Sequence, residues 1–127
     1  MPASIIYFLV RCPLNPLELA HTVVDALEDK KGENIVLMDL QKVASFTDYM
    51  IVCTGSSNRM LRALAEGTNT ATREKHKVKG RVEGDPDGGW MVLDFGDIVV
   101  HIFDAELRNY YKLEELWKDG KILLRVQ

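Results

Sequence analysis

Three histidines, two cysteines and a set of scattered carboxylates are the residues of this 127-residue chain that could supply acid, base, nucleophile or metal ligand. Their spacing argues against each of those roles. His21, His76 and His101 fall on separate predicted elements with no ligand spacing between them, and neither a GxSxG nor a Walker sequence is present. Cys12 and Cys53 form no CxxC pair, and Cys53 sits in the apolar run YMIVCT, where a thiol behaves as a small buried hydrophobe. The expectation is no catalytic residue, no metal and no cofactor. The chemistry that the residue types do offer is recognition. Trp90, Asp94 and His101 lie in WMVLDFGDIVVHIF, where large rings alternate with ionisable groups.

That stretch reads as a β-hairpin. Two apolar runs, residues 90–95 and 98–103, are separated only by Gly96 and Asp97, and glycine at the first central position suits a type II′ turn because it reaches positive φ without a Cβ penalty. The short loop fixes the register: Asp94 faces Val99, Leu93 faces Val100, Val92 faces His101, Met91 faces Ile102 and Trp90 faces Phe103. Alternation then separates an apolar surface (Met91, Leu93, Phe95, Ile98, Val100, Ile102) from a mixed one (Trp90, Val92, Asp94, Val99, His101, Phe103). The candidate partner-binding residues are Trp90, Asp94, Phe95, Gly96, Asp97 and His101. Asp94 and Asp97 are expected at the surface, since uncompensated carboxylates are seldom buried. For Trp90, His101 and Phe103 two readings stand side by side: they meet a partner, or they lie beneath the C-terminal helix against Tyr110, Tyr111 and Trp117.

The elements that must position this hairpin are readable in order. Asn15 followed by Pro16 is a cap and a first-turn proline, and Leu17, Ala20, Val23, Val24 and Leu27 recur at helical spacing, predicting a helix to about Lys30 that Gly32 ends. Residues 34–40 and 49–54 read as central strands, being apolar without alternation, with room for a short helical turn between them. After Gly55, Ser56 or Ser57 caps a helix whose stripe is Met60, Leu61, Leu64 and Ala65; Gly67, Thr68, Asn69, Thr70 and Thr72 then leave it either held by packing or frayed. HKVKGRVEG reads as a charged edge strand and DPDGG as a loop. Asp104 caps a last helix, bent near Lys112, and residues 122–126 add a short strand.

Length and composition place the chain as one domain. Residues 1–15 read as an N-terminal extension and residues 16–127 as the domain. The predicted fold is α/β, a mixed sheet of about five strands flanked by helices. With 46% hydrophobic and 28% charged residues the chain falls in the soluble globular range, and no apolar run reaches bilayer length, so no membrane is expected. Free thiols make a reducing cytoplasm the default location. A net charge of −3 argues against holding nucleic acid by overall surface charge and favours a basic or mixed protein partner. The basic run Arg73, Lys75, Lys77, Lys79 and Arg81 reads as a solvated face, or beside RNA as a neighbour of its phosphates. A homodimer is compatible with the sequence.

YMIVCTGSSNR, WMVLDFGDIVVHIF and ELRNYYKLEELW together resemble the signature segments of the ribosomal silencing factor family, RsfS, also called Iojap or DUF143. The resemblance runs from about Pro16 to Trp117. It implies a compact α/β domain without established catalysis that binds the large ribosomal subunit, through the large-subunit ribosomal protein numbered fourteen, and hinders joining of the small subunit or assists late assembly. The extension and the Gly/Thr-rich middle of the second helix depart from the family pattern. The competing class is an enzyme. Gly55-Ser56 after a strand is similar to the Gly-Ser motif of nucleotidyltransferases, and the inferred topology is nucleotidyltransferase-like. Such sites need paired carboxylates for magnesium, and NRMLRALAEG offers only Glu66. The site would be degenerate, and Ser56 and Ser57 read better as caps.

Overall fold

In the computed structural model, which describes residues 15–127, the first helix starts as its sequence requires. Asn15, in extended backbone, accepts a hydrogen bond from the Leu17 N–H at 2.9 Å, and Pro16 occupies the first turn. The remainder of the predicted extension, with Cys12, lies outside the described residues. Helix α1 (Pro16–Asp29) buries Leu19, Ala20, Val23, Val24 and Leu27. Its end differs from expectation. Lys31, not Gly32, adopts the left-handed backbone at φ 70. Gly32 is there for want of room, because a Cβ would lie 2.5 Å from Cys53 Sγ and 2.9 Å from the Leu27 carbonyl oxygen.

Strands β1 (Glu33–Asp39) and β2 (Tyr49–Thr54) follow, with β2 buried along its whole length. Their connection holds a single hydrogen-bonded turn on the Leu40 carbonyl, which accepts from the Val43 and Ala44 N–H groups, and it does not extend into a helix. Ser57 then caps α2 (Asn58–His76), accepting from the Met60 N–H at 3.1 Å. This helix runs unbroken through its poor formers. Thr68, Asn69 and Thr72 are buried, so tertiary packing outweighs a propensity deficit of a few tenths of a kcal/mol per residue, about 1 kcal/mol at Gly67. Asn69 also holds the chain that leaves the helix: its Oδ1 accepts from the Gly80 N–H at 2.8 Å and its Nδ2 donates to the Gly80 carbonyl at 3.2 Å. Lys77 turns the chain out of the helix at φ 60.

The edge strand is shorter than HKVKGRVEG, because residues 77–80 belong to this clipped connection and only β3 (Arg81–Asp85) pairs. A single 3-10 turn (Pro86–Gly88) leads to the hairpin strands β4 (Trp90–Asp94) and β5 (Ile98–Phe103). Their register is the one fixed by the two-residue loop, from Trp90 opposite Phe103 to Asp94 opposite Val99, and Gly96 has the positive φ of 88 that the turn demands. Two short helices, α3 (Ala105–Tyr111) and α4 (Leu113–Leu116), are separated at the expected bend by Lys112 at φ 48. Strand β6 (Lys121–Val126) closes the described chain.

The sheet has six strands in the order β3-β4-β5-β2-β1-β6, one more than about five, with β6 filling the outer edge beside β1. Only β2 and β5 are parallel, so the predicted mixed sheet is present. On one face α1 and α2 cover Leu37, Ile51, Leu93, Val100 and Ile102. On the other, Leu107, Leu113 and Trp117 of the C-terminal segment pack on Val36, Met38, Met50, Val52 and Phe103. Among the described residues no helix is long and apolar enough to cross a membrane.

Candidate functional site

The face under α3 and α4 is only partly covered, because those helices are short and sit over β2, β1 and the end of β5. Phe103 is fully buried there, whereas Trp90 and His101 are half-buried beside it. The Trp90 ring stacks on Phe103 at 5.0 Å between centroids and meets Tyr111 at 4.9 Å. His101 lies stacked on Phe103 at 5.9 Å. Trp90 Nε1–H donates to His101 Nδ1 at 3.2 Å, which requires the imidazole proton to sit on Nε2. Burial pushes the His101 pKa down to about 4, so the ring is neutral at physiological pH. The reading that puts these rings beneath the C-terminal helix holds for Phe103, which is core, and for Trp90, which packs against Tyr111, while Trp90 and His101 remain half-buried.

The turn supplies charge at the end of this surface. Asp97 and Gly96 are exposed and Asp94 is half-buried, its Oδ1 accepting from the Gly96 N–H at 2.8 Å. The turn is anchored through the Asp97 carbonyl, which accepts from Asp48 N–H, Tyr49 N–H and Thr47 Oγ1, each at 3.0 Å. Its carboxylates are thus presented on fixed backbone. Phe95 does not join the aromatic surface; its ring packs over Gly80 on the opposite side, where a Cβ on that glycine would come within 2.8 Å of it.

Further apolar groups extend the surface along α3, α4 and the β1–β2 connection. Tyr110 is 76% exposed, Leu116 67%, Phe46 58% and Tyr111 44%, and Phe46 and Trp117 approach to 5.5 Å between ring centroids. A solvent-facing row of this kind marks a contact surface more often than a bare fold. Of these, Phe46 went unread in the sequence, its only signal being a lone ring in a polar connection. Arg108 fixes the row in place. Its Nε donates to Glu114 Oε1 at 3.0 Å and its Nη1 to Thr54 Oγ1 at 2.8 Å and to the Asn34 carbonyl, tying α3 and α4 to the ends of β1 and β2. Arg108 is thereby the structural partner of the Glu114 carboxylate.

Gly55-Ser56 forms the turn between β2 and α2. Gly55 is buried with a Cβ position only 2.6 Å from Leu61 Cδ2, and Ser57 is spent on capping. Glu66 points into a groove with Arg62 and Arg73. Among the described residues no group of three or more His, Cys, Asp or Glu is placed to hold a metal ion. Burial pushes the Cys53 thiol up to about 12, even with the Arg108 guanidinium nearby, so it stays protonated among its apolar neighbours.

Comparison with known proteins adds an independent result. The family described as "Ribosomal silencing factor during starvation" (RsfS) matches residues 13–126. The ribosomal silencing factor RsfS of Chromobacterium violaceum is 39% identical over 104 residues, covering 82% of this chain and 85% of that protein. A crystal structure of a Chromobacterium violaceum protein superimposes with a TM-score of 0.78 at 38% identity, covering 83% of this chain and 88% of the other. A mouse protein named "Mitochondrial assembly of ribosomal large subunit protein 1" is 29% identical over 100 residues, which are 75% of this chain and 43% of that protein.

Proposed function

The chain belongs to the ribosomal silencing factor family, and on that premise we propose that it binds the large ribosomal subunit through large-subunit ribosomal protein fourteen and hinders joining of the small subunit. It acts in the cytoplasm as a steric repressor of translation, with a second role in late large-subunit assembly in keeping with the name of the mouse relative. The contact is made by Trp90, His101, Asp94, Gly96 and Asp97 together with Tyr110 and Tyr111, while Phe95 supports the turn from behind. A steric blocker needs a rigid surface with a few anchors that lose water on contact, not a nucleophile.

The observation that carries this reading is the half-open aromatic group on the sheet. Trp90, Phe103 and Tyr111 are pre-stacked at 4.9–6.2 Å, so their rotamers are already ordered before a partner arrives. Association then forfeits little side-chain freedom, a saving of about 0.5–1.5 kcal/mol for each side chain held in advance. The fixed carboxylates of the turn offer acceptors to a basic ribosomal protein, steering approach and setting register.

Co-sedimentation tests it. The purified chain is expected to travel with isolated large subunits, not with intact ribosomes, and to slow their joining. Tyr110→Ala and Asp97→Lys change exposed side chains, of which Tyr110 meets Tyr111 edge-on at 5.1 Å, and the pair is expected to weaken large-subunit binding at least about tenfold. Binding to neither particle, or unchanged affinity in the double variant, would sink the assignment of this surface.

A further inference from the structure

On the opposite side of the sheet from the aromatic row, α2 and β3 flank a groove of about 610 Å³. We propose that this groove binds the phosphate backbone of RNA. Three exposed cations, Arg62, Arg73 and Lys79, stand on it against one carboxylate, Glu66. This is positive charge gathered on a chain whose net charge is −3. Among the described residues none of the three cations has a carboxylate within 4.0 Å, whereas the neighbouring Arg81 is paired with Glu83 at 2.9 Å.

The arrangement is built, not incidental. Arg62 and Arg73 lie about 16 Å apart along the axis of α2 by helical rise, so the cations are strung out in a row and do not converge on one small anion. Lys79 is brought to the groove by the clip between Asn69 and Gly80, a buried pair of hydrogen bonds at 2.8 and 3.2 Å that leaves the connection no freedom to carry Lys79 away. Val82, Pro86 and Met91 contribute an apolar floor against which a ribose or base edge can lie. No aromatic ring lines the groove, so base stacking is absent, the affinity comes from phosphate contacts, and sequence preference is weak. The choice of RNA over an acidic protein rests on the ribosomal reading above; the cationic row does not.

The test uses the full chain and a fluorescently labelled oligouridylate of about twelve nucleotides, with anisotropy read across a salt series. Three phosphate contacts to a single strand give a log–log salt slope near −2, so affinity is expected to fall about twentyfold between roughly 50 and 200 mM salt. Combining Arg62→Glu, Arg73→Glu and Lys79→Glu is expected to abolish binding while circular dichroism and tryptophan emission are unchanged. Should that variant fold poorly, the single changes Arg62→Gln and Arg73→Gln each lower the slope by about 0.7. A triple variant that binds within about twofold of the parent, a flat salt response, or equal competition by polyglutamate would overturn the proposal. Failure of large-subunit co-sedimentation with RNA binding intact sinks only the ribosomal contact surface; loss of oligouridylate binding with co-sedimentation intact sinks only the groove.

Discussion

Removing Arg108 is the sharpest probe of how the proposed contact surface is held. Its guanidinium joins Glu114, Thr54 Oγ1 and the Asn34 carbonyl, and its side chain is only 13% exposed against 26% for Glu114. Such shelter takes the pair out of the class of screened surface bridges worth about 0–1 kcal/mol. Arg108→Ala deletes three charge-assisted hydrogen bonds and leaves a largely covered carboxylate without its partner, a change that costs about 3–5 kcal/mol for fully buried pairs. The residual exposure of Glu114 puts the expected loss at the low end, about 3 kcal/mol, a large part of the total stability of a domain this size. Urea denaturation followed by tryptophan fluorescence measures it, and the double-mutant cycle with Glu114→Gln isolates the pairwise part, expected at about 1–2 kcal/mol. Because α3 and α4 carry Tyr110, Tyr111 and Leu116, large-subunit binding should fall even where the variant is fully folded. A loss below about 1 kcal/mol, or an additive cycle, would refute the reasoning and reduce the pair to a surface contact.

Two further outcomes follow from buried polar groups. His101 has its pKa lowered from 6.5 to about 4 by burial, so the unfolded chain takes up a proton first on acidification. Stability is therefore undiminished above about pH 6.5 and declines as pH falls towards 4, by up to about 1.4 kcal/mol per pH unit. Denaturation midpoints across that window should drop less steeply in His101→Gln; superimposable profiles would show that other groups are responsible. Thr68 Oγ1 is buried with no hydrogen-bond partner. Thr68→Val removes that hydroxyl at nearly constant shape and should raise the thermal midpoint, by the equivalent of about 1–2 kcal/mol, with a lowered midpoint counting against the hydroxyl being unpaired.

The parts legible in the sequence were those governed by neighbours along the chain. The hairpin register followed from a two-residue loop that admits only one pairing, and the Asn15, Ser57 and Asp104 caps each acted within three residues of themselves. What escaped was set by distant contacts. α2 survives Gly67–Thr72 because that stretch faces the core and the Gly80 connection, which no propensity reveals. Gly32 looked like a helix stop, yet it answers to Cys53 on a neighbouring strand. The open or covered state of Trp90 depended on how far α3 and α4 reach across the sheet, and Lys112 shortens that reach by breaking the segment in two.

The parallel pairing of β2 with β5 has a consequence for how the protein is made. Residues 49–54 pair with β1 at once but find their second partner in residues 98–103, after α2, β3 and β4 have been laid down in between. During synthesis β1 and β2 therefore emerge as a hairpin with apolar side chains on both faces and a bare hydrogen-bonding edge, which is the kind of nascent segment that chaperones capture. Until Ile98–Phe103 clears the exit tunnel the sheet has no centre, and until Lys121–Val126 follows it has an unfinished edge. A chain cut short before Ile98 would keep the β2 edge and both apolar faces open, the state most exposed to proteases and to aggregation.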